Sequence, residues 1–291
     1  MSQKKITQGL LMAMAAGICW GTTGLFGTIL FEKGFEPLLI ASVRVFFSLL
    51  VFLVVFLSRY RSRLSVPWNE LVWLAFFSFV GVHLFNIFYL QAIEQVGISV
   101  AVVLLYTSPL FVVLFSSILL GEKITWVKLT SIILLLTGTF FVVQAYQVSL
   151  FMLNFSGILL GLGAGLTFGL LSVFSKISLV KADQLAKIFY LFLFGSVFLS
   201  FVCPPWLIFE YEFTFAAFLA LSGLVVIATI AAYTLYILGL TRLEAGQGSI
   251  AVAVEPVAAI MFAFIFMGEV LSFGQYLGVG LVLCGIYLVS T

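Results

Sequence analysis

Residues 245–269 read AGQGSIAVAVEPVAAIMFAFIFMGE, an apolar run interrupted in its middle by a carboxylate and a proline, Glu255 and Pro256. Such a run has the length of about 20 residues that an α-helix needs to cross ~30 Å of hydrocarbon. Glu255 then lies about ten residues, or ~15 Å at about 1.5 Å per residue, from the helix start, close to the bilayer centre. A charge at that depth costs about 2.5–3.5 kcal/mol on insertion scales, so the side chain must face a polar cavity, meet a partner or hold a proton. Pro256 cannot donate to the carbonyl of Val252, which predicts a break or kink in the helix at this point.

The rest of the chain is of the same kind. Of its 291 residues 64% are hydrophobic and 8% charged, against roughly 25% charged in an ordinary soluble domain, so the chain is read as an integral membrane protein. Apolar runs predict helices over 8–31, 38–58, 69–93, 97–120, 124–146, 155–179, 186–206, 213–240, 245–267 and 272–289. These runs are long and unbroken where a membrane β-barrel needs alternating segments of about ten residues, so the fold class is an all-α membrane protein with ten transmembrane helices. The N-terminus begins with basic residues, but its apolar stretch continues past Trp20 towards Leu30, too long for a cleaved signal, and is expected to remain as the first helix. No loop is long enough for a soluble domain, and any function is expected to lie within the membrane.

The charges set an orientation. With the N-terminus in the cytoplasm, eleven of the thirteen basic residues fall inside: Lys4, Lys5, Arg59, Arg61, Arg63, Lys123, Lys128, Lys176, Lys181, Lys187 and Arg242. Only Lys33 falls outside, and Arg44 lies within a span, so both termini are expected to be cytoplasmic by the positive-inside rule. Trp68 and Trp126 near inner helix ends and Trp206 near an outer one suit the aromatic belts. The net charge of +2 is scattered rather than clustered, which points away from nucleic acid.

Set against itself at an offset of 147, the chain repeats. Tyr89 falls on Tyr236, Pro109 on Pro256, Phe115 on Phe262, Gly121 and Glu122 on Gly268 and Glu269, and Gly138 on Gly285. At an offset of 148, Gly17, Gly21 and Phe26 fall on Gly165, Gly169 and Phe174. Two five-helix repeats, 1–147 and 148–291, follow. Because five is odd they are inverted in the membrane, an arrangement used by secondary transporters to switch around a midplane site. With the WGTTG stretch of the first helix, Arg44 in the second, the TSPLF and VEPVAAI prolines, and the LLGEK and FMGEV exits, this order resembles the EamA-type members of the drug/metabolite transporter superfamily over essentially the whole chain. The resemblance implies a secondary carrier of small metabolites, often an exporter of amino acids or related compounds, in the cell membrane.

Within the spans few residues carry chemistry. Glu255 can relay protons, contact substrate, or stay neutral and bond the backbone freed by Pro256. Pro109 and Pro256 each leave a carbonyl unpaired at corresponding depth, as a hinge, a ligand or a packing kink. Arg44 can bind a substrate carboxylate or an acidic residue, or reach outwards to the headgroups. Its partner position in the second repeat is near Phe192, so the site is expected to be asymmetric in charge. His83 shares one side of its helix with Asn86 and Tyr89 over an arc of about 120°; it is either a core histidine or part of a proton path. Trp20, Thr23, Tyr106, Phe168, Tyr233 and Tyr236 are the other candidates to line a central cavity. Gly157, Gly161, Gly165 and Gly169, with a weaker stripe of Gly17, Gly21 and Gly24, are expected to permit close helix packing. Glu122 and Glu269 are expected to hydrogen-bond across loops, with Lys123 as a local partner of Glu122.

No cofactor or metal is expected. His83 is the only histidine, and Cys19, Cys203 and Cys284 form no ligand motif. Neither HExxH nor GxSxG is present for an enzyme, nor a Walker motif for ATP. The expected partners are a small-molecule substrate, an amino acid or similar metabolite, with protons as candidate co-substrate, and the lipid bilayer; a monomer suffices and the oligomeric state stays open. Uptake, cationic drug export and a channel or facilitator pore remain as alternatives.

Overall fold

The computed structural model describes residues 3–60, 66–148, 154–178 and 183–290. Arg61, Arg63, Lys181 and the side chain of Arg59, used above to orient the chain, lie outside the described residues. Among those described there is no strand. Eight helices among the described residues are long and apolar enough to cross a membrane: α1 (Gln3–Phe31), α2 (Pro37–Ser58), α3 (Trp68–Val96), α4 (Ile98–Leu120), α6 (Phe155–Ile177), α8 (Phe215–Leu240), α9 (Ala245–Met267) and α10 (Phe273–Ser290). Two further apolar helices, α5 (Trp126–Val142) and α7 (Gln184–Ser200), have 17 residues each, about 25 Å at ~1.5 Å per residue. The chain is a multi-pass membrane protein.

Local chemistry explains the ends. The run expected to extend to residue 206 stops at Ser200, because Pro204 and Pro205 cannot continue a helix and instead open a 3₁₀ segment, Pro205–Glu210. The run expected to reach 146 stops at Val142, and Gln144 turns the chain away in a left-handed conformation (φ 53°). Thr125 Oγ1 accepts the N–H of Lys128 at 3.3 Å, Asp183 Oδ1 that of Leu185 at 2.9 Å and Thr214 Oγ1 that of Ala217 at 3.2 Å, capping α5, α7 and α8.

Two kinds of distortion recur in both halves. α4 divides into Ile98–Leu105 and Ser108–Leu120, and α9 into Ala245–Val252 and Glu255–Met267. The joints have nearly the same backbone: φ, ψ of −74°, 5° at Tyr106 and −69°, 9° at Ala253. Pro109 and Pro256 sit in the first turn of each second segment, where the missing N–H is tolerated. α3 and α8 each contain one wide π-helical turn, Phe79–Leu84 and Val226–Ala231, again 147 residues apart. Asn86 Nδ2 donates to the Val82 carbonyl at 2.7 Å and Thr229 Oγ1 to the Leu224 carbonyl at 2.8 Å, satisfying oxygens at these turns.

The halves pack as images of each other. α1 lies against α8 and α9, and α6 against α3 and α4, while α2 meets α7 and α5 meets α10. At the close approaches the glycines face helix backbone. A Cβ on Gly17 would collide with the Val252 carbonyl, and one on Gly165 would stand 2.9 Å from Leu104 O and 3.2 Å from Leu105 O. Gly21 and Gly169 meet the carbonyls of Glu255 and Ser108, at 3.0 and 3.1 Å. Gly24 has open space around it, so the α1 glycine stripe ends at Gly21. The start of α1 packs on Arg242 and Leu243 through Gly9; this end of the bundle, which carries the N-terminus, is called the N-terminal face below.

Candidate functional site

The α9 joint lies against α1 and the α4 joint against α6, with α8 and α3 packed beside them. The break in α9 places Glu255 at the first position of a helical segment within the apolar region, where the dipole of the following turns stabilises negative charge by about 0.3–1 kcal/mol. Its counterpart at the α4 joint is Ser108, which is buried. The Tyr106 hydroxyl, near the Glu255 carboxyl, is buried and makes no hydrogen bond. Arg44 of α2 acts on Glu255 through space without an ion pair within 4.0 Å, and its Nε is buried without a hydrogen-bond partner. The charges of Arg44 and Glu255 also reach the hydroxyls of Tyr89 and Tyr233. Arg44 and Glu255 thus make no ion pair with each other.

Aromatic rings enclose this group. Trp20 packs edge-on against Tyr233, Tyr236 and Phe168, with centroids 5.2, 5.5 and 5.8 Å away. Phe168 meets Phe85 at 5.4 Å, and Phe85 stacks on Tyr89 at 5.7 Å. Thr23 is half-buried three residues beyond Trp20. His83 is set apart: it stacks on Phe79 at 5.2 Å and neighbours Phe198 of α7 at 6.1 Å, with Nδ1 buried and unpartnered. The arc that groups His83 with Asn86 and Tyr89 assumes a regular helix. The wide turn adds a residue at His83, and Asn86 spends its amide on the Val82 carbonyl. The carbonyls freed by the prolines face glycine, Val252 O against Gly17 and Leu105 O towards Gly165, and Glu255 makes no hydrogen bond to either. Gly157 and Gly161 of α6 lie against Gln95 and Val96 of α3 and Leu104 of α4.

Sequence reading missed three groups. Ser172 of α6 shares a 2.8 Å hydrogen bond with Tyr236 of α8, joining two helices of the second repeat beside Trp20; nothing in the local pattern marks one serine among many. Lys187, read as a surface charge, is 3% exposed with its Nζ unpartnered, beside Leu74, Phe77, Ser175 and Ile237. Lys128, likewise read as a surface charge, is buried and pairs with Glu244 at 2.6 Å.

On the N-terminal face Glu122 joins the halves. Its Oε1 accepts the Ala245 N–H at 2.7 Å and its Oε2 the Gly246 N–H at 3.3 Å, so it caps α9. Lys176 Nζ pairs with Oε1 at 3.1 Å and also bonds the Leu243 carbonyl, and Lys128 Nζ lies 3.9 Å from Oε2. The local partner expected, Lys123, offers only its carbonyl, to Lys128 Nζ at 2.8 Å, because its own side chain points to the surface. Burial alone would raise the Glu122 carboxyl, but the Ala245 N–H, the Lys176 charge and hydrogen bond, and the Gly246 N–H together hold it below its ordinary value. A lowered carboxyl contributes stability that is present above its unfolded value and lost as pH falls through the folded one. The closure of this face, followed as the distance between spin labels at Lys123 and Thr241, is therefore expected to be constant from about pH 8 to about pH 5 and to loosen only below the ordinary glutamate range, near 4.3. Loosening around neutrality would contradict this assignment.

The comparisons with known proteins agree with this architecture. An uncharacterized transporter of Archaeoglobus fulgidus is 27% identical over 94% of this chain and 93% of its own length. The uncharacterized transporter YoaV of Bacillus subtilis is 25% identical over 96% and 95%, and the uncharacterized inner membrane transporter YicL of Salmonella typhimurium 22% over 97% and 95%. One crystal structure superposes with a TM-score of 0.78 at 20% identity, covering 97% of this chain and 96% of that one, which shows a shared fold. Residues 7–144 and 155–291 each match the EamA-like transporter family, and the chain belongs to that family.

Proposed function

We propose that the protein is a secondary carrier of small metabolites, amino acids or related carboxylates, that works by alternating access between two inverted five-helix repeats. In this reading all ten helices span the cytoplasmic membrane, the N-terminal face and both termini lie in the cytoplasm, and a monomer carries the whole path. The observation that carries the proposal is the pair of broken helices, α4 and α9, meeting at mid-depth with Glu255 at one break and Arg44 opposed to it. Interrupted helices at corresponding places in two inverted halves are a feature of carriers, because each joint can bind a solute and bend. Arg44 offers a fork for a carboxylate, Glu255 an acceptor for an ammonium group or a proton, and the ring of Trp20, Phe168, Tyr89, Tyr106, Tyr233 and Tyr236 the apolar wall. The absence of an ATP-binding motif in the sequence supports a gradient as energy source. The eleven-to-one distribution of basic residues supports the orientation.

The test is counterflow in proteoliposomes preloaded with a panel of amino acids and related metabolites, with the native protein beside Glu255→Gln. Saturable exchange by both proteins, with accumulation under a proton gradient only by the native one, is the expected result. Non-saturable flux insensitive to solute on the far side would mean a pore instead. Identical behaviour of the two proteins in both assays would remove Glu255 from coupling.

A further inference from the structure

The halves are alike in sequence register but not in state. On the N-terminal face Glu122 caps α9, and the first residue of that helix, Ala245, is fully buried. At the same register on the opposite face, Glu269 is exposed and its carboxylate has no partner among the described residues. The position matching Ala245 is Ile98, the first residue of α4, and it is 62% exposed. The α4 N-terminus has Gly97 as its cap residue and no side-chain acceptor for its first N–H groups. Yet the exits leading to the two carboxylates have the same shape: Gly121 and Gly268 are left-handed (φ 69° and 71°), and the N–H groups of Glu122 and Glu269 bond to Ser116 and Ala263, again equivalent residues.

Neighbouring contacts show the same imbalance. The first segment of α9 packs along the second segment of α4 on the N-terminal face, while the equivalent pair, the first segment of α4 and the second of α9, packs far less closely. Within the second repeat Tyr236 bonds Ser172, whereas in the first repeat Gly24, which occupies the place of Ser172 opposite Tyr89, faces open space. The bonds that Glu122 makes to α9 on the N-terminal face have no counterpart at Glu269 on the other face.

We propose that Glu122 and Glu269 are reciprocal latches: Glu122 holds the N-terminal face shut by capping α9, and in the opposite state Glu269 caps α4 at the N–H groups of Ile98 and Ser99 while Glu122 lets go. This rests on the alternating-access reading. The physics is that of a helix start, whose orphan N–H groups and positive dipole end attract a carboxylate. Each latch stabilises one state, and a ligand or variant shifts the balance by its difference between the two. The latches are not equal in strength. Lys176 and Lys128 reinforce Glu122, while Thr28 and Gln275 stand at their places in the other repeat, so Glu269 has no equivalent lysine. The resting protein is therefore biased to the state with the N-terminal face closed.

The experiment measures two distances by electron–electron resonance in a protein with Cys19, Cys203 and Cys284 replaced, in liposomes and with no substrate needed. One label pair, at Lys123 and Thr241, reports the N-terminal face; the other, at Glu94 and Val270, reports the opposite face. The native protein is expected to show mainly a short first distance and a long second one. Glu122→Gln should lower that population about tenfold relative to its opposite, the loss of a buried charge-assisted cap, lengthening the first distance as it shortens the second. Adding Glu269→Gln should reverse most of the shift, because both faces then lack their latch carboxylate. Glu269→Gln alone, at an exposed position that folding does not need, should deplete the minor state with the opposite face closed by about tenfold. Distances that exchange but ignore Glu269 would overturn the latch and leave alternating access standing. A single conformation in every variant would overturn both.

Discussion

Gly17→Ala is expected to destabilise the protein by about 2 kcal/mol, while Gly24→Ala, seven residues along the same helix, is expected to be neutral. Both changes add one methyl group to α1, and both raise helix propensity by up to ~1 kcal/mol. At Gly17 the methyl meets the Val252 carbonyl and would stand 2.8 Å from Val254 Cγ1. The obstacle is backbone, held by the α9 joint, and it cannot rotate away, so α1 must lift from α9. At Gly24 nothing lies within 4 Å. Thermal unfolding in detergent, with recovery of monodisperse protein as a second readout, separates the two. Equal effects at Gly17 and Gly24 would show that the α1 to α9 contact does not support the fold. Because Gly17 also touches the joint itself, Gly17→Ala should reduce exchange more than its loss of stability explains.

Arg44→Ala is expected to reduce exchange of carboxylate solutes about 30-fold or more, from the 2–5 kcal/mol typical of removing one partner of a buried charged contact. The guanidinium is half-buried, its Nε has no partner, and the opposing carboxylate of Glu255 is not close enough to neutralise it. The equivalent place in the other repeat is held by Phe192, which packs on Tyr233 at 5.6 Å, so the second half cannot substitute. Arg44→Lys should recover part of the activity, keeping charge but losing the planar fork. Counterflow rates for a carboxylate solute and for its amide, measured side by side, check the assignment. A full native rate for Arg44→Ala with the acid would return Arg44 to a structural role.

Much of the fold was legible because membrane spans and repeats are written in composition. Apolar length locates the helices, and the coincidence of Pro109 with Pro256 and of Gly121 with Gly268 reveals the duplication without any knowledge of contacts. The breaks were legible for the same reason: proline removes a donor wherever it stands. What sequence left hidden depends on side-chain direction. The face of His83 could not be read through a turn that abandons the regular period, since neither Phe79–Leu84 nor Val226–Ala231 carries a proline or any other marker of a wide turn. Lys187 looked like a surface lysine because charge near a helix end reads the same whether the side chain turns outwards or in. The hydrogen-bond partners of the Glu122 carboxylate lie 54 or more residues away, beyond the reach of local pattern. The candidate site was legible as a set of residue types at one depth, and its division into a central group and an outlying His83 needed the coordinates.

The wide turns of α3 and α8 bear on how the chain arose. A π-helical turn is one residue more than a regular helix needs, and such an insertion costs stability unless something uses it. Finding it in both halves at the same register, with different residues, FVGVHL and VIATIA, in the two places, points to one insertion in an ancestral five-helix piece, copied when the gene doubled. The glycines that meet carbonyls and the broken helix recur in both halves as well, so the ancestral piece already carried the surfaces on which its copy came to pack.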